Sequence, residues 1–344
     1  MFKSLIKSVF PSFATGKFEP DYASFERTRV NAATQEDAVA YVQKQSADVS
    51  PNAGAFYDYL FGDTSTLEQQ DSLSEFVSAK INDIILNPTE LLNDLPVMPT
   101  SVAKVISLLG NAEFDLSELI KVIEQEPSMA ADMVKLANTS RYKRGDKEVT
   151  DLQRAFMYMG ADGLKEGVIQ VFLKKFSASS NLYFKQFGEK IWSHSFNSAQ
   201  YAQQLASKVL TKEQANTVYL VALIKNLGTM VIFQLMIEAF KYVDPDAKPC
   251  SASFKWLMAE KSSGLTVTIA KHWQLPNQII ELLSIKSSVN DEATCIFDGN
   301  FIAESKALFD AKRLIRAEYE SKIDTLDSAS SKQFALSLLP ASHL

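Results

Sequence analysis

A chain of 344 residues with 35 Lys and Arg against 41 Asp and Glu carries a formal charge of −6, and 46% of its residues are hydrophobic. That share, with 22 Phe, 11 Tyr and 3 Trp, excludes disorder of the whole chain and supplies a core for one large domain or two of ordinary size. Two cysteines, Cys250 and Cys295, exclude a disulfide scaffold or a Cys-rich zinc site and fit a reducing cytoplasm, while 12 glycines in 344 disfavour Gly-rich turns and phosphate loops.

At the N-terminus Phe2, Leu5, Ile6, Val9 and Phe10 fall at helical spacing opposite Lys3 and Lys7, which makes this segment a helix for packing on its own protein, for a partner or for a membrane surface. Apolar positions Leu73, Phe76, Val77, Ile81, Ile84 and Ile85 predict a helix from Ser72 to Leu86. Pro88, Pro96 and Pro99 then force an extended or turning connector. A short helix carries Val102, Val105, Ile106 and Leu109 up to Gly110, and Asp115 with Glu118 reads as a capping box for the next. Pro127 suits the first turn of a helix with Met129, Met133, Val134 and Leu136. Thr150 with Gln153 predicts a further helix that ends at Gly160, followed by another from Leu164 to Phe176.

In the second half a long helix is expected from Leu182 to Leu210, and Thr211 with Gln214 caps the next, which breaks at Gly228. The most apolar stretch, Val218 to Ile237, is interrupted by Lys225, Asn226 and Gln234, so it reads as a buried helix pair and not a membrane span. After a loop at 244–253, helices are expected at 254–260, 266–273 and 276–286, then one long helix at 292–320 and a short one at 332–339. With alternating β patterns rare, the fold class is all-α.

Function is narrowed by exclusion. No GxxxxGK[ST], GxGxxG or GxSxG pattern occurs. Net acidity argues against a general nucleic-acid binder, and the one basic cluster, Arg141, Lys143, Arg144 and Lys147, reads as a solvated loop. The histidines are three, His194, His272 and His343, and none has a His, Cys or Asp at i+1, i+3 or i+4. Alone, His194 reads as a hydrogen-bonded core histidine, and Trp192, Trp256 and Trp273 as core or pocket walls.

A specific combination of motifs then emerges: Leu95-Pro96 with Pro99, Glu126-Pro127, the run Leu136 to Ser140 containing Asn138, and Ala155 with Met159-Gly160. These segments resemble the HDOD domain, a degenerate relative of the HD metal-dependent phosphohydrolases found in bacterial signalling proteins. The stretch around Trp192 and His194 is similar to the helix that carries the first HD-type histidine. The segment through Gly228 is similar to the one that carries the His-Asp pair, and Trp273 to Pro276 to the later Trp-x-Leu-Pro helix. The resemblance implies an HD-like helical bundle over 71–290, in halves 71–178 and 179–290, with an N-terminal extension at 1–70 and a helical one at 291–344.

The departures shape the functional expectation. Lys225-Asn226 stands where a metal-binding HD protein has His-Asp, and Ser284 to Ser287 where a His-His pair is expected. An ammonium cannot ligate a cation while protonated, and an amide carbonyl is a weak ligand for transition metals. Expected, then, are no metal, no cofactor and no catalytic residue, with His194, Lys225 and Asn226 left as a vestigial pocket. Lys225 either supplies the charge a metal once supplied, pairing a carboxylate or an anionic ligand, or reaches a cleft surface. The implied role is a regulatory module that binds a protein partner or a small anion such as a nucleotide. The rival is a residual phosphohydrolase built from His194 with Asp162 or Asp244.

Overall fold

Leu5 and Ile6 of the first helix are buried, so the N-terminal segment is part of the core from the outset. The computed structural model describes residues 2–10, 53–62, 72–108, 116–143, 148–179, 182–244 and 251–340. Gly110, Asp115, Arg144, Lys147, Cys250 and His343 lie outside the described residues. Among those described there is no strand. The helices are α1 Lys3–Val9, α2 Ala53–Phe61, α3 Ser72–Leu86, α4 Thr89–Asn93, α5 Thr100–Ser107, α6 Leu116–Glu124, α7 Pro127–Ala137 and α8 Leu152–Lys174. They continue as α9 Leu182–Val209, α10 Lys212–Lys225, α11 Leu227–Val243, α12 Ser251–His272, α13 Asn277–Ser284, α14 Asp291–Asp310, α15 Arg316–Ile323 and α16 Ala329–Ser337.

The proline-rich connector ends where Pro99, at φ −57° and ψ 148°, hands over to α5. The first turn of α5 is capped from a distance: Glu126 accepts from the Ser101 amide at 3.0 Å and the Ser101 hydroxyl at 2.6 Å. A carboxylate there satisfies an orphan amide and complements the helix dipole. Glu126 also precedes Pro127, the first residue of α7, so Glu-Pro starts one helix while holding another. Asn138 closes α7 and exchanges two hydrogen bonds with Val149, donating to its carbonyl at 2.7 Å and accepting from its amide at 2.8 Å. That pair fixes the entry to α8.

α8 is kinked at Gly160, whose φ of 66° and ψ of 179° are rarely adopted by a side-chain-bearing residue. The expected break is there, but helix resumes at once. The cap of α8 is Asp151, accepting from the Arg154 amide at 2.8 Å, one residue past the expected Thr150. α7 and α8 pack on each other, and α8 reaches α10 across the middle of the molecule.

The second half is organised by α9, which lies along α10 and α14. Thr211 with Gln214 forms the expected capping box. The following break falls at Asn226 and not at Gly228, because Gly228 answers a different need. A Cβ there would sit 1.9 Å from the Ser262 carbonyl oxygen, where α11 and α12 cross. α12 runs unbroken through Ser262, Ser263 and Gly264, where two helices were expected. The predicted helix at 292–320 is instead two, α14 and α15, separated by a turn in which Lys312 takes φ 59°.

One hydrophobic cluster runs from Phe2 to Ala335. Phe2, Leu5, Ile6 and Phe10 are buried, α1 packs on α11, and the Phe10 ring meets Phe76 edge-on at 5.8 Å. The apolar face of α1 is therefore used internally, which removes the membrane-surface reading of this segment. The stretch Lys212–Val243 is the one among the described residues long and apolar enough to cross a membrane, and 89% of its apolar window is buried within the protein.

Candidate functional site

His194 lies in the middle of α9, 7% exposed, beside Ser195 and Ser198, whose hydroxyls return to the helix carbonyls of Ile191 and His194. Its partners come from elements outside the expected 71–290 unit. On α14, Asn300 hydrogen-bonds the imidazole and donates to Glu304 at 2.8 Å. On α2, the Phe56 ring covers the imidazole with 4.3 Å between ring centres. Nδ1 is buried without a hydrogen-bond partner. Burial pushes the imidazole down to about 4, against which the Asn300 hydrogen bond acts only partly.

The same layer continues through Tyr57. Its hydroxyl reaches Thr229 and Ser262, and burial together with the Glu304 charge raises its pKa above the phenol range. Thr266 joins α12 to the α10–α11 break: its hydroxyl accepts from the Gly228 amide at 2.8 Å and meets the Lys225 carbonyl at 3.1 Å. The half-buried Lys225 ammonium sits 4.4 Å over the Phe297 ring of α14, a cation–π contact. Asn226 caps no helix through its side chain, and its Nδ2 is buried without a partner.

His194 and Lys225 thus each meet α14, through Asn300 and Phe297 respectively, while Asn226 stays at the α10–α11 break. The other sequence-derived positions serve packing and connection. Leu95 is buried, Pro96 and Pro99 half-buried, Pro127 exposed at a helix start, and Leu136 half-buried. Trp192 stacks on Phe196 at 6.2 Å. Trp273 packs against Phe172 and Phe176 at 5.4 and 5.9 Å, and Pro276 starts α13. His272, Ser284 and Lys286 are exposed.

The donor set does not fit a metal. Among the described residues no three His, Cys, Asp or Glu side chains gather where they could hold an ion. Asp162 pairs with Lys212 at 2.7 Å, and Asp244 is the exposed cap of α11. Neither completes a set with His194. Hydrophobic cover from Phe56 lies over the imidazole instead.

A second polar seam joins α8 to α9 and α10. Arg141 binds Glu166 at 2.7 Å, and Glu166 accepts from Gln203 at 2.8 Å, while Gln170 donates to the Tyr219 hydroxyl at 2.8 Å. Arg141 also lies over the Tyr142 and Phe196 rings. Arg141 and Lys143, the two members of the basic cluster among the described residues, are both exposed, and Arg141 is anchored by these contacts. The cavity beside Glu166, lined by Asn216 and Tyr219, has about 10 Å³, room for one water.

The family model of the HDOD domain matches residues 95–289, more than half of the sequence. The chain belongs to the HDOD family. An uncharacterised protein of Treponema pallidum (strain Nichols) is 20% identical over 228 residues, 63% of this chain and 44% of that protein, so this HDOD chain spans under half the length of that relative. Among solved structures, an HDOD domain protein from Geobacter sulfurreducens superposes with a TM-score of 0.55 at 17% identity, covering 74% of this chain and 92% of that one. A candidate phosphohydrolase from Shewanella amazonensis SB2B gives 0.50 at 14% identity, over 72% and 92%. At such identities the likeness is one of fold. Asn300, Glu304, Phe56 and Tyr57 all fall outside the matched residues.

Proposed function

We propose that this HDOD protein is a non-catalytic regulatory module of a cytoplasmic signalling pathway, acting by binding another protein, with a small anionic ligand at Lys225 as a lesser mode. The observation that carries this reading is the state of His194, the one ligand-type side chain retained. It is held beneath Phe56 and hydrogen-bonded to Asn300, with an ammonium and an amide where a histidine and a carboxylate would be needed. Water activation requires an open cation with an exchangeable position, and this arrangement offers neither donors nor access. In this reading the family-type bundle supplies the scaffold, and the described parts of the flanking segments, α1, α2 and α14, add to its surface.

The test is metal content and turnover of the purified full chain after loading with Mn, Fe, Ni or Zn. The expected result is substoichiometric metal, no hydrolysis of nucleotides or phosphoesters, and no change in either with His194→Ala. Stoichiometric metal that disappears in His194→Ala would overturn the reading in favour of a residual phosphohydrolase. For the lesser mode, nucleotide titrations of the wild type and Lys225→Ala decide: identical flat isotherms remove it.

A further inference from the structure

The polar seam of α8, α9 and α10 turns on one carboxylate. Glu166 accepts from Arg141 through Oε2 at 2.7 Å and from Gln203 through Oε1 at 2.8 Å, so both of its oxygens are engaged. The two charges of the pair are placed unequally: the Glu166 side chain is 12% exposed and that of Arg141 32%. The acid is rooted in α8, which packs on α5, α7 and α10. The base stands on the connector between α7 and α8, held by the Asn138–Val149 pair and by the Tyr142 ring, which lies against Gly163. Arg141 also rests on the Tyr142 and Phe196 rings at 5.4 and 5.6 Å, and Phe196 stacks on Trp192.

Burial pushes the Glu166 carboxyl above the usual carboxylate range; the Gln203 hydrogen bond and the Arg141 charge act against this, and the nearby Asp162 adds to it. Asp162, one turn earlier on α8, is paired with Lys212 of α10. Lys165 lines the same cavity, with Lys212 and Glu213 of α10 near it. Tyr142 of the connector and Tyr219 of α10 face Glu166 as phenols that burial holds above their ordinary range, and α9 contributes the neutral Gln203. On the acid side of neutrality the group of this cluster that changes charge is therefore Glu166. A neutral carboxyl still offers its carbonyl oxygen to Gln203 but no longer holds a guanidinium by charge, and charge-assisted hydrogen bonds are roughly twice as strong as neutral ones. An arginine without its anion resists burial, and Arg141 has water within reach.

We propose that the Arg141–Glu166 pair is a proton-operated clasp. With Glu166 ionised, Arg141 is folded onto Tyr142 and Phe196. With Glu166 protonated from solvent, Arg141 swings outward, uncovers Phe196 and Trp192, and adds its charge to the exposed Lys143. The surface along α9 then gains positive charge and aromatic area in one step. No partner and no group at His194 is needed for it.

The probe is 5-fluorotryptophan in the full chain, read by fluorine NMR, with the Trp192 resonance identified by its loss in Trp192→Phe. From about pH 8 to about pH 5 this resonance is expected to shift along a one-proton curve with its midpoint above the usual carboxylate range. His194 takes up its proton only near 4, below that interval. Glu166→Gln keeps the shape and an acceptor oxygen but removes the charge, so it should hold the resonance at its acid position throughout. A flat Trp192 resonance in the wild type, or an equal titration in Glu166→Gln, overturns the proposal. Because substitution at Glu166 risks the fold, hydroxyl-radical footprinting of the unaltered chain gives a second reading. Phe196 and Trp192 should be labelled at least twofold faster at the acid end than at the alkaline end, relative to Trp256. Labelling that does not change with pH also overturns it.

Discussion

The imidazole of His194 is a titratable group held where only its neutral form is tolerated. In the unfolded chain it takes up a proton near pH 6.5, but in the folded protein only near pH 4. Between these values the unfolded state binds more protons, so this group's stability is complete above about pH 6.5 and declines as the pH falls towards 4. The expected slope is at most about 1.4 kcal/mol per pH unit, read from urea midpoints at pH 7, 6, 5 and 4.5. His194→Gln should flatten it; an unchanged slope would assign the acid sensitivity to carboxylates. At the same scale, Asn138→Ala removes both hydrogen bonds to Val149 and should cost about 1–3 kcal/mol in a denaturant titration. Residue chemistry was partly legible in the sequence: the departure from the family's His-Asp pair is visible as Lys225-Asn226. What covers His194 was not, because Phe56 and Asn300 lie 138 residues before it and 106 after it, and no local spacing encodes such a meeting.

Elements were read well where a helix buries one stripe. α3 follows its apolar positions, with Val77 and Ile81 fully buried, and the box at Thr211 and Gln214 marks α10 as expected. Reading failed where tertiary contact overrides local chemistry. Helices were expected at 254–260 and 266–273, yet α12 is continuous across 261–265, and its Ser262 backbone lies against Gly228. Gly228→Ala tests that contact. With a Cβ 1.9 Å from a carbonyl oxygen, α11 and α12 must separate, and a loss of at least about 2 kcal/mol is expected, visible as a lower thermal midpoint. A neutral outcome would mean that the crossing adjusts freely. Glu126→Gln should cost less than Glu126→Ala, since the amide oxygen still accepts from Ser101 while the charge that favours the helix N-terminus is lost.

Across the whole molecule, the family-matched region does not close on itself. α1 packs on α11, α2 covers α9, and α14 fills the long face of α9. A truncation to residues 95–289 would uncover the apolar partners of Phe2, Ile6, Phe56 and Ile302. It is expected to be poorly soluble and to bind a hydrophobic dye strongly, whereas the full chain should do neither. A soluble, dye-silent truncation would show that the additions are merely attached. The resemblance made the helical bundle legible, but it is silent on these additions, which carry no motif of their own and are recognisable only by what they touch.

The burial of Lys212–Val243 has a consequence for how the protein is made. This stretch has membrane-like hydropathy, and its covers α12 and α14 follow it in the chain. At roughly 5–20 residues per second, the ribosome needs several seconds to deliver them. During that interval only the earlier helices α1, α3, α8 and α9 can cover the segment, and the faces that α12 and α14 will bury stand open to chaperones and to membrane-targeting factors alike. The fold is completed only when its last long helix arrives.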